Sequence, residues 1–188
     1  MTSLKAAVFA SGTGSNFQAI MESDDLMCDI VLLVCDKPDA SVIDKANHYG
    51  VPTYVFNPKE YATKANYEEQ LVRRLHDAEV SWIFLAGYMR IAGTTLLEAF
   101  VGKIINIHPS YLPAFPGKDA IGQAFRAGVE KTGVTVHYID EGIDTGPIIE
   151  QVTVPIFPED TEEMLKQRIQ RIEHQLYPKV INQLIQVK

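Results

Sequence analysis

The chain has 188 residues, of which 46% are hydrophobic and 22% are charged, and its formal net charge is −7. This composition is that of an ordinary globular domain, large enough to bury a core without disulfide bonds. The negative charge disfavours a nucleic-acid-binding protein, whose surface is normally basic. No run approaches the ~20 apolar residues of a membrane span, and the N-terminus lacks a signal-peptide pattern, so we expect a cytoplasmic protein.

The chain has two cysteines, Cys28 and Cys35. Their spacing is not that of a C-x-x-C motif, and no histidine cluster accompanies them, so the sequence predicts neither a disulfide framework nor a zinc site. We expect both to be buried apolar side chains in a reducing compartment.

Strand-like apolar runs alternate with helix-like segments along most of the chain, which is typical of a doubly wound parallel sheet. The predicted strands are residues 4–10, 29–36, 53–56, 82–86, 104–108, 133–139 and 148–156. The predicted helices are residues 17–21, 41–49, 58–78, 96–100, 119–125 and 161–177, with Pro178 kinking or splitting the last one before residues 180–185. The last two strands are expected to pair antiparallel. The fold class is therefore α/β, a Rossmann-like, mostly parallel sheet with helices on both faces and an antiparallel strand pair at its C-terminal side.

Local signals at two helix starts predict how those helices are capped. Thr94 or Thr95 is expected to cap the helix that follows the fourth strand. Asp160 with Glu163 resembles a capping box at the start of the last helix.

The first strand runs into a glycine-rich turn, residues 11–16, and then into a helix. Backbone N–H groups at the helix start, together with the side chains of Ser15 and Asn16, suit a phosphate group. Position 17 is Phe where the dinucleotide fingerprint needs Gly, and the Gly-Lys-Ser/Thr of ATP-binding loops is absent, so a phosphate monoester fits better than NAD or ATP. A tight turn with a Ser or Asn helix cap is the simpler alternative.

The fourth strand ends in the loop of residues 87–93, which carries Met89 and Ile91 between two glycines. Apolar side chains and backbone amides at the C-terminal end of a parallel strand suit a flat apolar heterocycle. A packed turn between strand and helix would have the same sequence.

The fifth strand carries Asn106 and His108 two residues apart, so both side chains point to one face near its C-terminal end. Open α/β sheets bind their ligands at that end. The Asn amide can donate to oxygen charge developing on a carbonyl, and a His that titrates near neutrality can move a proton. Taken by itself, His108 also fits a satisfied structural residue.

The acidic loop of residues 140–147 connects the last two predicted strands and supplies Asp144 as a carboxylate for His108. An Asn, His and Asp set suits acyl transfer without a protein nucleophile, and no Gly-x-Ser-x-Gly elbow is present. A metal held by the carboxylates of this loop is an alternative, although the calcium-loop spacing is missing. The remaining histidines are predicted to be solvated or to have packing roles: His48, His76, His137 and His174.

Three segments resemble the phosphoribosylglycinamide formyltransferase family of purine biosynthesis: residues 11–20, 106–117 and 134–147. The resemblance runs along nearly the whole chain. The Asn-x-His and Asp set is shared by all 10-formyltetrahydrofolate-dependent formyltransferases, whereas the Gly-Ser-Asn phosphate loop is typical of this family. The resemblance implies a single formyltransferase domain, residues 1–188, with a phosphate-binding half of about residues 1–100 and a catalytic and folate-binding half of about residues 101–188.

The resemblance also implies the reaction, in which the formyl group passes from 10-formyltetrahydrofolate to the amine of glycinamide ribonucleotide without a metal. The implied catalytic residues are Asn106, His108 and Asp144, with Asp144 keeping His108 protonated. The implied ribonucleotide-binding residues are Gly14, Ser15, Asn16 and Glu173. The implied folate-binding residues are Lys64, Met89, Arg90, Ile91, Ala92, Asn106, Asp140, Glu141 and Asp144. The expected partners are these small molecules, with no nucleic acid or membrane, and the expected assembly is a monomer or homodimer.

Two of these assignments depend on the resemblance more than on the residues themselves. By its own pattern, Glu173 is a solvated helix charge unless that helix lines the cleft. Lys64 stands where family members commonly have Arg, and Lys keeps the charge but loses the forked geometry of a guanidinium.

Three alternative functions are weaker. A 10-formyltetrahydrofolate hydrolase would use the same polar residues with water, but it would have no use for the phosphate loop and is expected to carry an additional N-terminal domain. A methionyl-tRNA formyltransferase is disfavoured by the net charge of −7 and by the lack of a basic C-terminal domain. A phosphate-ligand-binding module without catalysis would bind its ligand without needing His108.

Overall fold

The computed structural model describes residues 3–187 as a seven-stranded sheet with helices on both faces. The strands are β1 (Leu4–Ala10), β2 (Cys28–Cys35), β3 (Thr53–Val55), β4 (Trp82–Leu85), β5 (Ile104–His108), β6 (Lys131–Tyr138) and β7 (Ile148–Pro155). The helices are α1 (Ser15–Met21), α2 (Val42–His48), α3 (Lys64–Asp77), α4 (Thr94–Ala99), α5 (Ala120–Ala127) and α6 (Glu162–Gln186).

The order of strands across the sheet is β3-β2-β1-β4-β5-β6-β7. Strands β1 to β5 pair in parallel, whereas β6 is antiparallel to β5 and β7 is antiparallel to β6. The predicted fold class is therefore confirmed. Because the chain moves outward from β1 to β3 and then returns to β4 on the other side of β1, the loops after β1 and β4 diverge at a topological switch point. Open α/β sheets bind ligands at such a point.

The core has two layers, one on each face of the sheet. Helices α1, α2 and α6 pack on one face, with Phe17 and Tyr177 fully buried there. Helices α3 and α4 pack on the other face through Leu71 and Leu96. The central strands are apolar on both sides because helices cover both faces, which explains why their sequences are continuous apolar runs.

The last helix corrects the prediction that Pro178 kinks or splits it. Helix α6 is continuous from Glu162 to Gln186, with Pro178 inside it and buried. A proline in a helix interior removes one hydrogen bond and costs about 3 kcal/mol. Its neighbours Tyr177, Val180 and Ile181 are fully buried against the sheet, and we attribute the continuity of the helix to that packing.

The start of α6 is capped differently from the prediction. Thr161 is the N-cap, and its hydroxyl accepts the backbone N–H of Met164. Asp160 instead makes two hydrogen bonds with the Arg168 guanidinium, at 2.6 and 2.8 Å, and accepts the N–H of Phe157. These donors lower the pKa of Asp160 to about 2, with Arg168 the largest cause.

Two helix starts on the other face of the sheet also differ from the prediction. Pro58 begins a short 3-10 turn (Pro58–Glu60), and α3 starts afterwards at Lys64 with Thr63 as its N-cap. Gly93, rather than Thr94 or Thr95, is the N-cap of α4. The cap interaction comes from α3, because the buried Glu68 carboxylate accepts the N–H of Gly93 at 2.8 Å.

Candidate active site

The C-terminal end of β5 brings Asn106 and His108 to one face of the sheet, next to the acidic loop. His108 is buried, and its Nε2 lies 2.9 Å from the carbonyl oxygen of Phe115. Its Nδ1 lies 3.5 Å from Oδ2 of Asp144. Each ring nitrogen therefore faces an acceptor oxygen, an arrangement that the two N–H donors of an imidazolium satisfy.

Asp144 is held in place by the proline-rich loop that follows β5. The backbone N–H of Gly117 donates to Asp144 Oδ2 at 2.7 Å. The backbone of Asp144 is left-handed, with φ of 55°, a conformation that costs a non-glycine residue on the order of 1 kcal/mol. This backbone conformation therefore lowers stability slightly, and it directs the Asp144 carboxylate toward His108.

His137 is a site residue that the sequence analysis missed. It lies in β6 directly opposite Asn106 in the antiparallel pairing, and it is 1% exposed. Its Nε2 is 3.4 Å from Asn106 Nδ2 and 3.8 Å from Asp144 Oδ1. The prediction of a solvated or packing role for His137 is therefore incomplete. Only the register between β5 and β6 reveals its neighbours, and that register cannot be read from periodicity.

The protonation of His137 follows from its surroundings. Burial lowers the pKa of His137, so the ring is neutral near pH 7 and carries one N–H. Its Nδ1 lies 2.8 Å from the carbonyl oxygen of Tyr138, which accepts that proton. Nε2 is then an acceptor facing the Asn106 amide, and it fixes the direction in which that amide points. We call Asn106, His108, His137 and Asp144 the reaction cluster.

The phosphate-loop residues stand at the start of α1. Gly14 is the N-cap, buried and left-handed with φ of 75°, and a side chain there would collide with Val42. Glycine is therefore required at this position. The first N–H groups of α1, beginning with Ser15 and Asn16, have no partners within the helix and suit an anion.

Asn16 also faces Glu173 of α6, and together they form what we call the buried corner. Glu173 is 6% exposed, so it is a buried carboxyl rather than the solvated charge that its own sequence pattern predicts for a helix away from the cleft. Burial raises the pKa of Glu173 to about 7, and the Asn16 side chain opposes this shift. Asn16 Oδ1 is buried without a hydrogen-bond partner among residues 3–187. The corner thus has an acceptor and an ionisable carboxyl that a ligand with donor groups would satisfy.

The loop of residues 89–93 is tied down from two sides. From α3, Lys64 Nζ donates to the carbonyl oxygen of Ile91 at 2.8 Å. From the end of β2, Asp36 accepts Arg90 Nε at 2.8 Å. Ala92 is buried, whereas Met89 and Ile91 are 56% and 44% exposed. The loop of residues 89–93 therefore exposes apolar side chains, and hydrogen bonds to Lys64 and Asp36 fix its position.

An apolar pocket of about 260 Å³ lies between the end of α4 and the start of the acidic loop. Its lining is mostly apolar, with two carboxylates among its residues: Leu97, Phe100, Val101, Gly102, Ile104, Ile139, Asp140 and Glu141. Asp140 accepts the Thr145 hydroxyl and the Gly142 N–H, and these hydrogen bonds lower its pKa, with Thr145 the larger cause. Sequence reasoning assigned Asp140 and Glu141 but treated the apolar lining residues as ordinary core.

A larger open groove of about 860 Å³ runs between α1 and the second half of α6. Of the candidate site residues named above, Ser15 lines it, and the reaction cluster does not. His174, at this groove, has a buried Nε2 without a partner among the described residues, and burial lowers its pKa. The groove therefore extends from the phosphate-loop end of the cleft and is separate from the apolar pocket.

The described part of the chain shows neither a cluster of metal-ligating side chains nor an activated thiol. Between residues 3 and 187, no group of three or more His, Cys, Asp or Glu side chains could hold a metal ion. Cys28 and Cys35 are buried and free, as predicted, and burial raises the pKa of Cys28 to about 12. A thiol in that state is a poor nucleophile. No helix in the same range is long and apolar enough to cross a membrane.

Comparison with known proteins places this geometry in context. Residues 4–181 match the family model described as formyl transferase. The chain is 55% identical over 184 residues to the phosphoribosylglycinamide formyltransferase of Bacillus subtilis, covering 96% of this chain and 94% of that protein. It is 40% identical to the trifunctional purine biosynthetic protein adenosine-3 of Drosophila melanogaster, covering 96% of this chain but 14% of that protein.

A solved structure agrees with these sequence comparisons. The glycinamide ribonucleotide transformylase 1 of Geobacillus kaustophilus superimposes with a TM-score of 0.95 at 56% identity, covering 97% of this chain and 99% of that one.

Proposed function

The chain belongs to the formyl transferase family, and from this premise we propose that it transfers the formyl group of 10-formyltetrahydrofolate to the amine of glycinamide ribonucleotide. The products are formylglycinamide ribonucleotide and tetrahydrofolate, and the reaction belongs to purine biosynthesis. We also propose that residues 1–188 act as one domain whose two halves bind the two substrates. A cytoplasmic location is in keeping with that pathway and with two free cysteines.

The observation that carries this proposal is the reaction cluster itself. An amide, two imidazoles and a carboxylate stand together, while no activated serine or cysteine accompanies them. Such a set can stabilise charge and move protons, and it lacks the activated serine or cysteine on which acyl-enzyme intermediates are usually formed. Direct transfer from donor to acceptor, with the amine as the nucleophile, is the reaction that needs only these groups.

In this mechanism the Asn106 amide donates to the oxygen charge that develops on the formyl carbonyl as the amine attacks, and the positive charge of His108 stabilises it. His108 must be an imidazolium to do so, and in that form each of its two N–H groups has an acceptor, the Phe115 carbonyl and the Asp144 carboxylate. The bond from the formyl carbon to the folate nitrogen then breaks. The amine loses a proton and the leaving nitrogen gains one, with Asp144 helping to relay it.

The ribonucleotide is assigned to the phosphate loop and the buried corner. Gly14, Ser15 and Asn16 would hold its phosphate through backbone N–H groups and short polar side chains. Glu173 would receive the glycinamide amine, which supplies the donors that the corner can accept. The pKa of Glu173 near 7 lets this carboxyl exist in either protonation state at neutral pH.

The folate is assigned to the apolar pocket and its surrounding loops. The pocket of about 260 Å³ has apolar walls and two carboxylates, which fits a flat heterocycle bearing amino and ring N–H groups. The assigned residues are Lys64, Met89, Arg90, Ile91, Ala92, Asn106, Asp140, Glu141 and Asp144. All proposed residues come from one chain, so a monomer or a homodimer would carry complete sites.

The test is an assay of the purified protein with 10-formyltetrahydrofolate, with and without glycinamide ribonucleotide. We expect tetrahydrofolate to appear only when the ribonucleotide is present. Release of tetrahydrofolate without the ribonucleotide would identify a hydrolase instead. Binding of both compounds without turnover would identify a binding module.

A further inference from the structure

A single buried carboxylate, that of Asp36, contacts both of the loops that carry the proposed substrate sites. The residue follows the C-terminal end of β2, and its side chain is fully buried. Oδ1 accepts the hydroxyl of Ser11 at 2.5 Å, and Oδ2 accepts Nε of Arg90 at 2.8 Å. Ser11 begins the phosphate loop, and Arg90 lies in the loop of residues 89–93.

A third hydrogen bond closes the connection. The backbone N–H of Met89 donates to Ser11 Oγ at 2.9 Å. The Ser11 hydroxyl has one hydrogen, which it donates to Asp36, so its oxygen is left as the acceptor for Met89. The backbone N–H of Ser11 also donates to the carbonyl oxygen of Gly87 at 3.0 Å. The two loops are thus joined directly, and Asp36 sets the direction of the hydrogen bonds.

The network requires a carboxylate rather than merely a polar side chain. Ser11 and Arg90 both present donors, and only a group with two acceptor oxygens satisfies both. An Asn side chain has one oxygen and one NH2 group. With its oxygen toward Arg90, the NH2 group would donate to the Ser11 oxygen, and the Ser11 hydroxyl hydrogen would lose its acceptor; with its NH2 group toward Arg90, two donors would face each other. In either orientation the network loses one hydrogen bond and the negative charge that pairs with Arg90.

We propose that Asp36 is a positioning residue that holds the loop of residues 89–93 against the phosphate loop and thereby keeps the folate site in its binding shape. This inference rests on the proposed function for the identity of the ligand. It adds a residue that touches neither substrate and acts through Ser11, Met89 and Arg90. Because β2 lies beside β1 and β1 lies beside β4, the C-terminal end of β2 is close to the loops that follow both of those strands.

The experiment measures steady-state kinetics for the wild type and the variants Asp36→Asn, Ser11→Ala and the double variant. For Asp36→Asn we expect the KM for 10-formyltetrahydrofolate to rise about tenfold, the size expected when a hydrogen bond to a charged group is lost. Because the reaction cluster is untouched, kcat should stay within about threefold. Asp39→Asn, which changes an exposed carboxylate three residues away, should behave as the wild type.

The double variant separates positioning from general damage to the structure. If Ser11 and Asp36 act as one unit, the rise in KM for the double variant should be smaller than the product of the two single effects. Thermal unfolding of each variant reports its folding. Should Asp36→Asn fail to fold, Ser11→Ala decides the matter, since it removes the acceptor of Met89 and keeps the pair of Asp36 with Arg90.

Two results would overturn the inference. The first is an unchanged KM for the folate in Asp36→Asn, or in Ser11→Ala if Asp36→Asn does not fold. The second is a KM in the double variant that equals the product of the two single effects. Failure of the proposed function has a different signature. In that case the wild-type protein itself would show no formyl transfer, whatever the variants do.

Discussion

The reaction cluster and the buried corner lie in the same cleft, yet they differ in how their polar groups are satisfied. In the cluster, His108 faces the Phe115 carbonyl, Asp144 accepts the Gly117 N–H, and His137 faces the Tyr138 carbonyl. In the corner, Asn16 Oδ1 has no partner among residues 3–187 and burial raises the pKa of Glu173. The protein itself supplies hydrogen-bond partners for the polar groups of the reaction cluster, whereas the buried corner has a polar atom that lacks one.

This difference is what two distinct tasks require. Groups that stabilise a transition state act best when they are held in place before the substrate arrives, because no reorganisation is then needed during the reaction. Groups that bind a ligand gain more when the ligand replaces a missing partner, because an unpaired buried polar atom costs about 1–3 kcal/mol. We therefore expect changes in the reaction cluster to affect turnover, and changes in the buried corner to affect binding and stability.

The largest effect is expected for His108→Ala. This change removes the proposed proton-transfer and charge-stabilising group, and such groups contribute about 10²- to 10⁴-fold to rates. We expect kcat to fall about a thousandfold, while ribonucleotide affinity measured by calorimetry changes little. Turnover close to that of the wild type would contradict the mechanism and would leave His108 as a structural residue.

A smaller but still large effect is expected for Asp144→Asn. The amide keeps the size of the side chain and an acceptor for Gly117, so the loop should keep its shape. It removes the negative charge beside His108, and we expect kcat to fall by about a hundredfold or more. Circular dichroism and ribonucleotide affinity serve as controls. A fall in ribonucleotide affinity without a fall in kcat would assign Asp144 to binding.

The reaction cluster also shows how far the sequence alone reaches. The periodicity of β5 places Asn106 and His108 on one face, and the acidic loop between the last two predicted strands offers Asp144 as a carboxylate for His108. These are local properties of the chain. The strand and helix alternation likewise predicts the sheet, because the rules for connecting parallel strands leave few topologies.

What the sequence does not reveal depends on contacts between distant segments. His137 belongs to the cluster because of a specific β5 to β6 register, and Glu173 is buried because α6 packs on α1. Pro178 is tolerated inside a helix whose flanking residues are buried, and Glu68 caps a helix in another part of the chain. In each case tertiary packing outweighs a local preference. A short window of sequence carries no information about that packing.

A moderate effect is expected when His137 is changed. Its acceptor nitrogen orients the Asn106 amide, so His137→Leu should misdirect that donor without removing it. We expect kcat to fall about 10- to 100-fold, less than the loss for removing a donor outright. His137→Gln can still present an acceptor oxygen and should recover part of the activity. Equal losses in the two variants would show that the ring serves packing rather than orientation.

The smallest effect on kcat is expected for Glu173→Gln, which instead tests the buried corner through stability. Burial raises the pKa of Glu173 from its usual 4.5 to about 7, so between these values the folded protein holds a proton that the unfolded chain releases. Stability from this group is fully present below about pH 4.5 and is lost as pH rises through 7, by about 3 kcal/mol in all.

The test compares the free energy of unfolding of the wild type and of Glu173→Gln, measured by denaturant titration at pH 5 and at pH 8. Because glutamine has no proton to lose, the variant should lose less stability between pH 5 and pH 8 than the wild type. Glu69→Gln, which changes an exposed carboxylate on α3, should follow the wild type at both pH values. If all three proteins instead lost the same stability between pH 5 and pH 8, Glu173 would be a solvated charge, and the contrast between the corner and the cluster would disappear.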